Sequence, residues 1–299
     1  MDIVLLWIPA TVLAAAAQTA RNSMQRRLTA TLGTLGATQV RFLYGLPFAL
    51  LFLLAILLVE GWKLPGWNAE FAVFVVGAAL IQIAATALML AAMQLRSFAM
   101  TTVYVKTEPV QVAVFAWAVL GDTVSFLGLI AVIVATLGVI VMSWRRGLGD
   151  AMPWRAVALG LASGACFALS SVAFRGAILA LDDGSFVLRA SYTLVNGLIL
   201  QTVVLVSYMA WRQRPALVVC LRAWRESLLA GFMGAFASQC WFIGFALTSA
   251  VNVRTLGLVE VLFAQAVSHR VFGEHANKRE RLGMALVMLG VVALLWQQT

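Results

Sequence analysis

The stretch VYVKTEPVQVAVFAWAVLGD (Val103–Asp122) decides how this chain folds. It sets Lys106 and Glu108 inside an otherwise apolar run and closes that run with Gly121-Asp122. The stretch has an echo. LGLVEVLFAQAVSHRVFGE (Leu256–Glu274) aligns with it without a gap, so that Glu108 falls on Glu260 (260 − 108 = 152), Gly121 on Gly273 and Asp122 on Glu274. The same offset carries Leu137-Gly138 onto Leu289-Gly290. Earlier in the chain the offset is 148 (175 − 27), and there Arg27 meets Arg175, Arg41 meets Arg189 and Tyr44 meets Tyr192. One loop absorbs the small difference. The chain therefore reads as a tandem repeat, with halves at 1–146 and 151–299.

Composition says what surrounds these halves. Of the 299 residues, 63% are hydrophobic and 11% charged, whereas a soluble domain carries about 25% charged residues to hydrate its surface. A bilayer is the natural solvent for such a chain. One crossing takes about 20 apolar residues, and ten segments qualify: 4–24, 35–59, 71–93, 98–120, 125–142, 157–179, 186–209, 228–247, 250–272 and 281–295. The breaks between them have the chemistry of turns, as in EGWKLPGW (Glu60–Trp67), SWRRGLGDAMPWR (Ser143–Arg155) and LDDGS (Leu181–Ser185). The N-terminal run MDIVLLWIPATVLAAAAQ lacks a basic leader, so it reads as the first span rather than a cleaved signal. Trp7, Trp62, Trp67, Trp144 and Trp154 fall where interfacial aromatic belts are expected.

Five spans per half is an odd number, so the second half must enter the membrane from the opposite side. The expected fold is an all-α membrane protein of ten transmembrane helices, arranged as two inverted five-helix repeats around a central cavity. That plan recurs in secondary transporters, with the substrate near the midplane between repeats. The net charge of +9 does not mark a nucleic-acid partner, because the basic residues sit in short loops between spans. Loops after odd-numbered spans hold most of the Lys and Arg, among them Arg26, Arg27, Arg96, Arg145, Arg146, Arg212, Arg214, Arg222, Arg225 and Arg270. The positive-inside rule then puts odd loops in the cytoplasm and both termini on the periplasmic face of the inner membrane. Cys166, Cys220 and Cys240 form no CxxC or zinc pattern, and no cofactor or metal is expected.

With these residues in view, the chain resembles the ten-helix EamA-type branch of the drug/metabolite transporter superfamily over nearly its whole length. Three paired features carry the resemblance. The first is the glutamate-bearing helix ending in a Gly-acidic pair, TEPVQVAVFAWAVLGD and LVEVLFAQAVSHRVFGE. The second is a closing helix with an internal Leu-Gly, IAVIVATLGVIV and LGMALVMLGVVALL. The third is an arginine near the start of each half's second helix, in TQVRFLYGLPF and FVLRASYTLV. The resemblance implies a transporter with a cavity lined by both halves. It implies no particular substrate, since relatives carry amino acids, nucleotide sugars, vitamins, choline or drugs.

Candidate site residues follow from the cost of burying polar groups in lipid, about 2.5–3.5 kcal/mol for a charge at the helix centre on insertion scales. Glu108 and Glu260 lie about ten residues into their spans, near the midplane. Glu108 is a candidate for proton coupling or for binding a substrate amine; alternatively each Glu pairs with Arg or Lys as a brace. Glu260 is a coupling or structural acid. Helical spacing groups Tyr104, Glu108 and Gln111 on one stripe, while Lys106 points elsewhere, to pair with an acid on another helix or to contribute to the cavity. Pro109 can kink the helix beside Glu108. Gln18 and Asn22, four apart, form a polar edge near Arg21 that has only Cys166 and Ser170 as counterparts. Tyr44, Gln239 and Trp241 are further wall candidates, with Gln39, Gln82, Tyr192 and Asn196. Arg41 and Arg189 read as structural. Arg254 is placed either to bind a carboxylate or to snorkel. Gln265 and His269 share a face, with His269 interfacial or a proton relay.

The expected function is secondary transport of a small polar metabolite, amino-acid-like or amine-bearing, by alternating access, in a monomer or homodimer with protons as the candidate coupling ion. Export of hydrophobic cations or drugs, or a non-transporting structural role, are the alternatives. No Walker motif appears, and no clustered ligands such as HExxH suggest an enzyme.

Overall fold

The computed structural model describes residues 3–95, 101, 104–143, 154–263 and 278–296, and every regular element among them is helical. In chain order these are α1 (Trp7–Leu43), α2 (Leu46–Glu60), α3 (Ala69–Leu95), α4 (Glu108–Leu120) and α5 (Phe126–Ser143). The second half holds α6 (Trp154–Leu179), α7 (Phe186–Arg212), the short α8 (Arg214–Arg222), α9 (Trp224–Leu247), α10 (Ala250–Leu256) and α11 (Lys278–Trp296).

The 37 residues of α1 would reach about 55 Å if straight, far beyond a hydrocarbon core of about 30 Å. The helix does not run straight. Gly33 takes φ 67°, ψ 177°, a conformation essentially restricted to glycine, and the chain doubles back there. Gln25 Nε2 donates to the Ala37 carbonyl at 2.6 Å, although the same pair would stand about 18 Å apart along an unbroken helix. The first crossing and the start of the second thus share one run, and the second resumes as α2 after Tyr44-Gly45.

Two further crossings are interrupted inside the membrane. A turn at Lys106-Thr107 precedes α4, and a 3-10 turn over Gly257–Val259 follows α10. These breaks occupy equivalent positions of the two repeats. Each falls immediately before its glutamate, so the segments 98–120 and 250–272, expected as single helices, each contain a break. Glu108 becomes the first residue of α4, where the positive end of the helix dipole favours a carboxylate.

Packing follows the repeat. Helix α1 lies along α9, and its counterpart α6 lies along α3, so exchanging the halves maps one pair onto the other. The pairs α2–α7 and α5–α11 each join a helix to its own counterpart, and α4, which follows the break in its crossing, packs on α10, which precedes the break in the equivalent one. The contact between α5 and α11 is reciprocal in detail. A Cβ on Gly138 would stand 2.7 Å from Gly283 O and Val287 N, and one on Gly290 would stand 2.7 Å from Ala131 O and Ala135 N. Ala131 and Ala135 correspond to Gly283 and Val287, so the two glycines make the same close approach across a pseudo-twofold axis.

Hydrogen bonds gather the even-numbered loops at one end of the bundle. Asn68 Nδ2 donates to Ala180 O, Lys63 pairs with Asp183, and Arg175 binds both Asp122 and the Thr248 carbonyl. Helix α8 sits beside the turn at Gly33, where Cys220 Sγ donates to Gly36 O. Large apolar side chains such as Leu58, Val73, Phe126 and Leu289 face outward, toward lipid. Trp62, Trp67 and Trp154 are exposed, but Trp7 is fully buried against the core rather than interfacial. Trp144, Arg96, Arg145, Arg146, Arg270, Gly273 and Glu274 lie outside the described residues.

Candidate substrate cavity

A cavity of about 30 Å³ lies between the halves, walled by α1, α3, α6, α9 and the broken segments around α4 and α10. At about 10–15 Å³ for each water it holds two or three, so this conformation has no room for a metabolite. Among the described residues its wall carries four cations, Arg21, Arg41, Lys106 and Arg254, against two carboxylates, Glu108 and Glu260.

The ion pairs cross between halves. Arg254 Nε stands 3.1 Å from Glu108 Oε1, and Lys106 Nζ pairs with Glu260 Oε2. Sequence spacing explains the crossing. Lys106 precedes Glu108 by two residues, which points it away from its own acid and toward the facing segment. Arg254 is held on every side: Nε donates to Ser171 Oγ at 2.9 Å, and Cζ stands 4.6 Å from the Trp241 ring centroid and 5.3 Å from that of Phe245. Glu260 receives Gln18 Nε2 at 3.0 Å and Asn22 Nδ2 at 3.2 Å besides Lys106. Trp241 Nε1 donates to Gln18 Oε1 at 3.0 Å, and Arg21 Nη2 donates to Asn22 Oδ1 at 2.7 Å. Such a buried network is costly unless its members are satisfied. Both acids are. The Nε and Nη1 of Arg21 are not: neither has a hydrogen-bond partner among the described residues.

Of the residues singled out by sequence, Glu108, Gln18, Asn22 and Trp241 come together on this wall, with Glu260 and Gln82. Seven others lie elsewhere, Gln39, Tyr192 and Asn196 among them. Tyr104 packs against Gly160 of α6, because the break at Lys106-Thr107 takes it off the Glu108 stripe. Gln111 Nε2 donates to Thr107 Oγ1 at 3.2 Å and stays at that same turn. Gln239 turns to Ser191 of α7 at 2.7 Å, leaving Ser238 on the wall in its place. Tyr44 donates to Cys220 O at 2.9 Å, near α8. Pro109 falls in the first turn of α4, where its missing N–H breaks no helical bond. Arg189 Nη1 donates to Leu181 O at 3.2 Å and ties α7 to the preceding loop. Arg41 braces α3 through Thr86 Oγ1 at 3.1 Å, but its side chain also reaches the wall. Gln265 and His269 lie outside the described residues.

Two residues that the sequence reading named without ranking as binding candidates, Arg21 and Lys106, also stand on the wall. The signal for Arg21 was present: an arginine inside the last turn of an alanine-rich span, beside Gln18 and Asn22, needs a protein or aqueous partner.

The model of the EamA-like transporter family matches residues 5–144 and again 154–296. The chain belongs to that family, within the drug/metabolite transporter superfamily. Its two EamA domains cover nearly the whole sequence and make it a multi-pass integral membrane protein with inverted halves. Comparison with curated proteins returns no match. A solved crystal structure of a protein superposes on 99% of this EamA-like chain and 99% of its own with a TM-score of 0.69 at 16% identity, a likeness of fold.

Proposed function

We propose that this EamA-like protein is a secondary carrier that moves a small polar, amino-acid-like metabolite across the inner membrane by alternating access, its halves (1–146 and 151–299) rocking about the central cavity. The observation that carries this reading is the buried, charged cavity between the halves, closed by ion pairs that cross from α4 and its turn to α10 and its turn. A cavity holding two or three waters must enlarge before a metabolite enters. Breaking the two crossed pairs frees the α4 segment from the α10 segment and supplies that enlargement. Glu108 and Glu260 are then gate as well as wall, and protonation of either would weaken its pair, which makes protons the candidate coupling ion. The proposed orientation keeps odd-numbered loops cytoplasmic and the termini periplasmic, in a monomer or homodimer.

A simple amine or hydrophobic cation fits this wall poorly, because each carboxylate already holds a cation. Counterflow in proteoliposomes tests the carrier reading. Saturable exchange is expected, lost in Glu108→Gln while the protein stays folded. Flux that rises linearly with concentration would indicate a pore, and unchanged exchange in Glu108→Gln would remove that residue from the mechanism.

A further inference from the structure

We infer that the substrate is a small organic anion, anchored through a carboxylate by Arg21; this deepens the carrier reading and rests on it. Among the described residues each acid on the wall is matched by one cation, and Arg21 and Arg41 remain over. Both are buried, at 2% and 6% exposure. Two uncompensated charges in a low-dielectric interior are costly, and an anion in the cavity relieves that cost.

The second strand is hydrogen bonding. A guanidinium has five N–H donors and no acceptor. In Arg21 one nitrogen serves Asn22, while Nε and Nη1 are buried without a partner. Native proteins seldom leave such donors unmatched, and each case calls for an explanation. Here a ligand oxyanion supplies the missing acceptors, since guanidinium and carboxylate match as paired forks.

The third strand is placement. The side chains of Arg21 and Arg41 run past the same residue of α9: a Cβ on Gly234 would lie 3.3 Å from Arg21 Cδ and 3.7 Å from Arg41 Cγ. The glycine lets both cations approach one side of the cavity. The opposite character is supplied by Met89, Phe167, Trp241 and Phe242, whose apolar surfaces suit a carbon skeleton. An inorganic oxyanion would leave those surfaces unused, so the wall favours an organic one. A guanidinium also takes phosphate, and the experiment separates the two.

Thermal unfolding of the purified full chain, at constant ionic strength, is followed with succinate, glutamate, glycerol phosphate, inorganic phosphate, putrescine and choline. Succinate or glutamate is expected to stabilise the protein saturably. Arg21→Gln should weaken its apparent affinity at least tenfold, and Arg21→Lys, which keeps the charge, should recover part of the loss. Size-exclusion profiles and the ligand-free melting temperature check that each variant is folded; if Arg21→Gln is not, Arg21→Lys carries the comparison, with a measurable loss of affinity expected from its lost donors. Stabilisation by phosphates alone, by amines alone, or by no anion overturns the inference, as does unchanged carboxylate affinity in both variants. Carboxylate binding without flux in proteoliposomes leaves the anion site standing and removes the carrier reading. Flux of an amine with no response to carboxylates does the reverse.

Discussion

Removing one partner of the Glu108–Arg254 pair should destabilise the protein far more than removing both. The charged groups stand 3.1 Å apart with side chains 9% and 6% exposed. At an effective dielectric constant of about 20, Coulomb's law gives a gross attraction of about 5 kcal/mol. Much of that is offset by taking both ions out of water, so the pair itself is a modest net contributor. A single truncation is different, because it strands the other ion, and such losses run about 3–5 kcal/mol. Glu108→Met leaves Arg254 with only Ser171 and the two aromatic rings as partners. Arg254→Met leaves Glu108 at the start of α4 with the helix dipole and a long contact to Ser171 Oγ at 3.5 Å. The double variant removes both charges together. A double-mutant cycle, read from equilibrium unfolding in mild detergent, should give a coupling energy of about 2–3 kcal/mol. Single variants that each cost less than about 1 kcal/mol and simply add would mean a hydrated, screened pair, and the buried crossed geometry would be refuted.

Gly138→Ala and Gly290→Ala should each cost about 1–3 kcal/mol by overpacking, because either Cβ meets the facing helix at 2.7 Å. The two costs should be similar and add to less than their sum, since either substitution already spreads α5 from α11; equilibrium unfolding checks this, and a neutral Gly138→Ala would contradict the close approach. Cys220, on the short α8 outside the spans, is fully buried, and burial pushes its thiol up from 9.0 to about 11. It should resist maleimide at neutral pH in the folded protein. Between 9.0 and about 11 the unfolded chain loses this proton first, so the thiol's contribution to stability is present below that window and lost as pH rises through it; a Cys220→Ala variant should lack that component of the alkaline pH dependence.

The architecture was legible in the sequence because the bilayer imposes a simple rule on every crossing: about twenty apolar residues, with backbone groups satisfied inside the helix. Lengths, turns and the repeat centred on Glu108 and Glu260 follow from that rule. Lys106 was also readable as turned away from Glu108, since two-residue spacing sends side chains to different faces. The candidates that lie away from the cavity show where such reading stops. Tyr104 was assigned to the Glu108 stripe on the assumption of an unbroken helix, and the turn at Lys106-Thr107 cancels that register. Gln239 and Ser238 are adjacent, and only the rotation of α9 against α7 decides which faces the wall.

By itself, then, the sequence determined ten crossings, two inverted halves and the presence of mid-membrane charge, because each of these depends on local hydrophobicity and on counting. Only the tertiary structure decided which charges meet. Partners such as Lys106 and Glu260, or Arg254 and Glu108, are separated by some 150 residues and are joined by the packing of one repeat on the other. The same packing leaves Arg21 with donors unmatched, a property of the assembled cavity that no segment of the chain carries alone.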